Sequence, residues 1–229
     1  MNIQKRKSSL YKRRKRILLR IYLIFIYLLL LAAAIGIGVF IKDFYFPFQK
    51  VDIVIDPGHG DHDPGAVADD IYEKDITLDI ALETEKILKD AGYRVKLTRE
   101  NDTFLELGER ADFANIRNAK VFVSIHCNSS EDGSGQGIET YYGAQKAEAD
   151  LVLAEKIQEC LIAQTDARDR EVKDATYTVL VCTEMPAVLV EVGFLTNSTE
   201  RTLLVDETYQ SKIAQGIADG VEAYFNEDK

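Results

Sequence analysis

One apolar run stands apart from the rest of the chain. From Ile21 to Ile41, 21 consecutive residues carry no charge. Coiled as a helix at about 1.5 Å per residue, the run reaches roughly 30 Å, the thickness of a bilayer's hydrocarbon core. A buried helix of a soluble protein would set polar residues along one face, and this run sets none. Downstream the period changes. Val51–Asp56 predicts a strand that enters a glycine-rich turn. Ile76 to Asp90 predicts a helix, with Ile76, Ile80 and Ile87 on one face and Gly92 placed to stop it. Tyr93, Val95 and Leu97 alternate with Arg94, Lys96 and Thr98, as in a half-buried strand. A helix follows over 105–118, then strands over 120–125 and 137–142 and a helix over 147–164. Two apolar strands are expected near 176–182 and 187–192, and a last helix over 208–225.

Strands separated by helices point to an α/β fold whose sheet is covered on both faces. The pattern does not give the strand order. No Gly/Ser linker, low-complexity stretch or repeat interrupts the body. The expected organisation is a basic segment at 1–20, a transmembrane anchor at 21–41, a juxtamembrane link at 42–50 and one domain at 51–229. A chain of 229 residues suffices for one well-buried α/β domain and a short appendage.

Charge sharpens this division. The net charge is −10, yet residues 1–42 hold ten Lys or Arg and no acid. Beyond them 18 bases face all 38 acids, a net of −20. Such a body does not bind nucleic acid through phosphates. Basic residues ahead of the apolar run predict a cytoplasmic N-terminus and an extracytoplasmic body in a single-pass membrane protein. A cleaved signal peptide is the rival reading, but its apolar stretch is shorter, and here Ala32–Ala34 fall mid-run. Cys127, Cys160 and Cys182 show no CxxC spacing and read as small buried apolar residues.

The candidate chemistry gathers where strands run out. His59 lies in DPGHGDHDPGA, residues 56–66, in a tight turn after a strand, where α/β folds place their sites. His126 ends the apolar part of VSIHCNSS, and Glu73 precedes the helix that opens near Ile76. Two His and one carboxylate form the ligand set of a catalytic zinc with an open position. Taken singly each is ordinary: a Glu at a helix start usually serves the helix dipole. His62, the third His of the chain, reads as a solvent-facing loop residue. Glu191 follows the buried run Ala187–Val190. A carboxylate there is costly unless paired with an Arg or functional. The functional alternative is a general base acting on water beside a metal.

The ordered blocks IDPGHG, DPGA, Glu73-Lys74-Asp75, LTRENDTFLELGERADFAN, FVSIHCN, GIETYY and MPAVLVEVGFLTN resemble the zinc-dependent N-acetylmuramoyl-L-alanine amidase family, also called amidase type 3. The resemblance covers nearly all of residues 51–225. It implies one α/β domain with a mixed, mostly parallel sheet of about six strands covered by helices on both faces. It implies that His59, Glu73 and His126 bind Zn2+ and that Glu191 is catalytic. It also implies hydrolysis of the amide between N-acetylmuramic acid and L-alanine in peptidoglycan. The chain departs from the family at Asp61, where Gly is usual, at Cys127, where Ala is usual, and at Glu171, where Gly often follows Arg. The last departure weakens a substrate-contact role for Arg170. Cys127 neighbours a ligand, and strand alternation should turn it away from the metal.

Two other functions fit parts of the pattern: a zinc peptidase acting within stem peptides, and a non-catalytic wall-binding module. Some relatives carry a helical plug after the strand matching Gly137–Tyr142. Here only residues 143–147 separate that strand from the next helix, so an open cleft without an obligatory activator is expected.

Overall fold

The structure, a computed structural model, describes Arg20 and residues 22–33, 51–143 and 148–227. Residues 1–19 of the basic segment, the link at 42–50 and residues 144–147 therefore lie outside the described residues. So do Ile21 and residues 34–41 of the expected anchor. Residues 22–33 are helical, and their apolar side chains from Tyr22 to Leu31 are mostly exposed. Among the described residues no helix is long and apolar enough to cross a membrane.

The body runs β1 (Ile53–Pro57), β2 (Val67–Ala68), β3 (Ile71–Tyr72), α1 (Glu73–Asp90), β4 (Val95–Leu97), α2 (Leu107–Ile116), β5 (Val121–Asn128) and β6 (Ile138–Gly143). It continues with α3 (Glu148–Thr165), β7 (Asp169–Ala175), α4 (Thr178–Val181), β8 (Ala187–Phe194), α5 (Ser198–Leu204) and α6 (Glu207–Glu227). Six strands form one sheet in the order β4-β1-β5-β8-β6-β7. Every neighbouring pair is parallel except β6 against β8. The expected mixed, mostly parallel six-stranded sheet is thus present.

Parallel strands covered on both faces have no solvent side to supply polar residues. All five residues of β1 are buried. On one face Ile53, Ile55, Val123, Ile125, Val188 and Val190 pack with α1, α3 and α6 through Ile80, Leu88, Ile157, Leu161, Ile217 and Val221. On the other, Val54, Phe122, Ala187 and Leu189 pack under α2 and α4 through Ala114, Val179 and Leu180. Side chains alternate across a strand, so the second face also carries Asp56, Ser124, His126 and Glu191 along one end of the sheet.

Three expectations need correction. Residues 176–182 form no strand: Thr178–Val181 is one helical turn whose Val179 and Leu180 fill the second core. The β-branched run is there, but packing decides its conformation. The adjoining strand is Asp169–Ala175, a polar segment to which the apolar pattern assigns no element; it is an edge strand, half-exposed and paired only with β6. Glu73 does not precede its helix but opens it, with Asp75 in the same acidic first turn. All three cysteines are free, and Cys182 is exposed rather than buried.

Candidate active site

β1 delivers the chain into the turn that holds His59. His59 sits at φ 63°, a left-handed conformation that side chains other than glycine's rarely adopt. β5 continues past Ile125, so His126 lies within the strand. α1 begins at Glu73 and projects its carboxylate back toward both imidazoles. His59 Nε2 lies 3.0 Å and His126 Nδ1 2.9 Å from Glu73 Oε1. One ligand atom from each of the three residues falls within 4.8 Å of the others, so His59, Glu73 and His126 could hold a metal ion. Two imidazole nitrogens and a carboxylate oxygen are a donor set that suits a divalent transition metal. The structure thus brings together the three residues that the sequence singles out.

Glycines make this convergence possible. A Cβ on Gly58 would sit 2.3 Å from the His126 ring, and one on Gly65 2.5 Å from Glu73 Oε2 and 2.6 Å from His59. Gly65 also lies at φ 68°. Glu73 is nearly inaccessible and is fixed by two backbone donors, Ala66 N–H at 2.7 Å to Oε2 and Cys127 N–H at 2.9 Å to Oε1. Burial raises its pKa, but hydrogen bonds and charge from His126 and His59 outweigh it and hold the carboxyl well below the usual range. Burial lowers the His59 pKa, and the partners Glu73 and Asp63 more than reverse this.

Glu191 lies beside the cluster: its strand position pairs with His126 on β5 and with Glu139 on β6. Its Oε2 is shielded from solvent and has no hydrogen-bond partner. Among the described residues no Arg pairs with it, which argues against the structural reading of a buried ion pair. Burial, the main cause, pushes its pKa up to about 7; the Glu73 and Glu139 charges act in the same sense, against His126. Glu139 is the opposite case. It accepts from Asn128 Nδ2 at 2.6 Å, Tyr141 OH at 2.9 Å, Arg170 Nε at 2.8 Å and from Lys173 Nζ. Burial raises Glu139, but these partners hold it below the ordinary range. Neighbouring carboxylates are thus split into a fixed anion and a group that can carry a proton.

A cavity of about 640 Å³ opens beside the cluster, lined by His59, His126, Asp63 and Glu191 and by the apolar side chains of Phe104, Leu107, Tyr177 and Val179. His62 is a solvent-facing loop residue as expected, its ring against Phe104 at 4.3 Å. Cys127 turns away from the metal position into the larger core, and burial pushes its thiol pKa up.

Several site residues escape sequence reasoning. Asp63 contacts His59 Nδ1 at 2.8 Å. Arg99 donates to the carbonyls of Pro57, Gly58 and Lys74. Arg110 donates to Asp56 and to the carbonyls of Pro57 and His59. Their only sequence signal is position within the quoted blocks, because a loop Asp or a helix Arg is usually solvated.

A family model described as N-acetylmuramoyl-L-alanine amidase matches residues 53–223. N-acetylmuramoyl-L-alanine amidase LytC of Bacillus subtilis is 42% identical over 174 residues; the match covers 76% of this chain and 35% of that protein. The chain therefore spans about a third of that relative's length. The solved catalytic domain of CwlV, an N-acetylmuramoyl-L-alanine amidase from Bacillus (Paenibacillus) polymyxa var. colistinus, is 44% identical with a TM-score of 0.73, over 78% of this chain and 99% of that one. An N-acetylmuramoyl-L-alanine amidase structure from Clostridium difficile 630 is 34% identical with a TM-score of 0.75, over 79% and 100% of the two chains.

Proposed function

The chain belongs to the N-acetylmuramoyl-L-alanine amidase family, and from that premise we propose that it hydrolyses the amide between N-acetylmuramic acid and L-alanine in peptidoglycan, with zinc held by His59, Glu73 and His126. The observation that carries the proposal is Glu191: an unpartnered, shielded carboxylate oxygen beside a convergent His-Glu-His set.

When bound, zinc would polarise the scissile carbonyl and lower the pKa of a water to about 7. The remaining work falls to the chain. Glu191 accepts a proton from the attacking water as the carbon–oxygen bond forms. It returns that proton to the nitrogen of L-alanine as the carbon–nitrogen bond breaks. The products are a lactyl carboxylate on the sugar and a stem peptide with a free N-terminus. A carboxyl group with a pKa near 7 is matched to both transfers at neutral pH. Glu139, locked to Arg170 and Lys173, stays ionised beside it. Phe104, Leu107, Tyr177 and Val179 in the cavity lining reduce the water beside the reacting groups.

The apolar run at 21–41, with basic residues before it, supports a single-pass anchor with the body outside the cell. On this reading the link at 42–50 keeps the start of the body within roughly 30 Å of the bilayer, at about 3.3 Å per residue, and no activator is needed to open the cleft.

The solved CwlV domain consists almost wholly of the matched body, so a soluble form starting at Asp43 is a practical reagent. It should release stem peptides beginning with L-alanine from purified peptidoglycan, and a chelator should abolish release. Mass spectrometry of the new N-termini decides the matter. A different first residue would instead identify a peptidase, and no release from a zinc-loaded protein would identify a wall-binding module.

A further inference from the structure

The three proposed ligands are not equally well secured by secondary structure. Glu73 starts an 18-residue helix and His126 lies inside an eight-residue strand. His59 sits on a turn, in a left-handed backbone conformation unfavourable for a residue with a Cβ. Such a conformation persists only where the surroundings hold it, and two side chains outside the ligand set do so.

Arg110 holds the backbone. Its Nη2 donates to the His59 carbonyl at 2.8 Å, and its Nη1 to the Pro57 carbonyl at 2.8 Å and to Asp56 Oδ1 at 2.9 Å. Its Nε reaches the Leu105 carbonyl at 3.1 Å. Asp56 is fully buried and accepts in addition from Thr98 Oγ1 at 2.5 Å and Ser124 Oγ at 2.8 Å. A buried ion pair adds little net stability once desolvation is counted. This one carries a planar fork that grips the turn on both sides of Gly58.

Asp63 holds the ring. Its Oδ2 lies 2.8 Å from His59 Nδ1, while Nε2 faces Glu73. An acceptor at Nδ1 keeps the proton on that nitrogen and leaves the Nε2 lone pair directed into the cluster. Asp63 is set in turn by Gly65 N–H on Oδ1 at 3.2 Å and by two 3.0 Å backbone bonds with Gly60.

We propose that Asp63 and Arg110 are positioning residues that fix His59 from its ring and its backbone, and thereby set how tightly the centre holds its metal. This rests on the reading of His59, Glu73 and His126 as a zinc site.

The test measures zinc dissociation constants by competition with a chromophoric chelator, and urea midpoints of the metal-free proteins, in the soluble form from Asp43. Asp63 is 39% exposed in its side chain, so its removal leaves the core intact. Asp63→Ala should bind zinc roughly 10- to 100-fold more weakly with an unchanged urea midpoint. Asp63→Asn, which keeps an acceptor, should recover most of the loss. Arg110→Lys keeps a charge for Asp56 but cannot span to the His59 carbonyl, and should weaken zinc by about tenfold or more. Should that variant fail to fold, the Asp63 pair still decides. A parent that binds zinc beside an Asp63→Ala protein that binds it within twofold overturns the assignment of Asp63, and equal binding by folded Arg110→Lys overturns that of Arg110. A parent that binds no zinc overturns the metal reading itself, and this inference with it.

Discussion

At the scale of single residues the site depends on a contrast between two adjacent glutamates. Glu139 has four side-chain donors, while one oxygen of Glu191 has none. A carboxyl group with an oxygen free of donors can exchange a proton during a reaction; one gripped by four donors is held as an anion. Replacing Glu191 by Gln keeps the shape, removes the proton carrier and leaves the ligands untouched. Activity on peptidoglycan should fall by about 10²- to 10⁴-fold, while zinc content, read by atomic absorption, stays near one per chain. His126→Ala should lower both. Zinc-free Glu191→Gln protein would place that residue among the ligands and leave the base unidentified.

Elements are held together by close contacts that tolerate little change. α6 crosses α3 at Gly216 and Gly220. A Cβ on Gly220 would lie 2.5 Å from Ile157 Cα, a backbone atom that cannot rotate away. Gly220→Ala should therefore destabilise the body by about 1–3 kcal/mol, despite alanine's better helix propensity; an unchanged urea midpoint would show that the helices can separate freely. At the other end of the sheet, Asp52 joins three strands. It accepts from Arg94 through Nε at 2.8 Å and Nη2 at 2.9 Å, and pairs with Lys120 at 3.0 Å. The Arg94 hydrogen bond, opposed by burial, is the main cause of a pKa held well below the carboxylate range. In the unfolded chain Asp52 titrates near about 3.9, so its contribution is fully present above that value. It is lost as pH falls toward the lower folded value. Metal-free Asp52→Asn should lose stability at pH 7 and show a flatter decline between about pH 5 and 2 than the parent. Parallel acid limbs in urea titrations would count against this.

For the whole molecule, the proposed arrangement is an acidic catalytic body tethered at short range to a membrane. Protease added to intact protoplasts should remove the body and leave a small N-terminal fragment in the membrane fraction. A protected body would reverse the orientation. A released body lacking residues 1–41 would make the apolar run a cleaved signal. The short connection at 143–147, too short for a helical plug, predicts that the soluble form digests isolated peptidoglycan without an added partner protein, and a zinc-loaded body that stays inert until one is supplied would refute the absence of an activator.

The sequence alone determined whatever local pattern encodes. Buried parallel strands announced themselves as apolar runs, as in VFVSI and AVLVEV, and amphipathic helices as a 3.6-residue period, because burial on a given face leaves the same trace wherever the element sits. His59, His126 and Glu191 were legible for a related reason, since polar groups at the ends of such runs are costly without a role; Glu73 was legible only because all four fall in an ordered set of blocks. Only tertiary structure decided the remainder. DREVKDA becomes β7 because β6 offers it a free edge, and Thr178–Val181 becomes a helical turn because Val179 and Leu180 fill the smaller core. The strand order, which sets Glu139 beside Glu191, is a long-range choice with no local signature. Arg110 and Asp63 read as ordinary surface charges until the fold carries the His59 turn between them, since a hydrogen bond between residues 51 positions apart leaves no mark in the spacing of either.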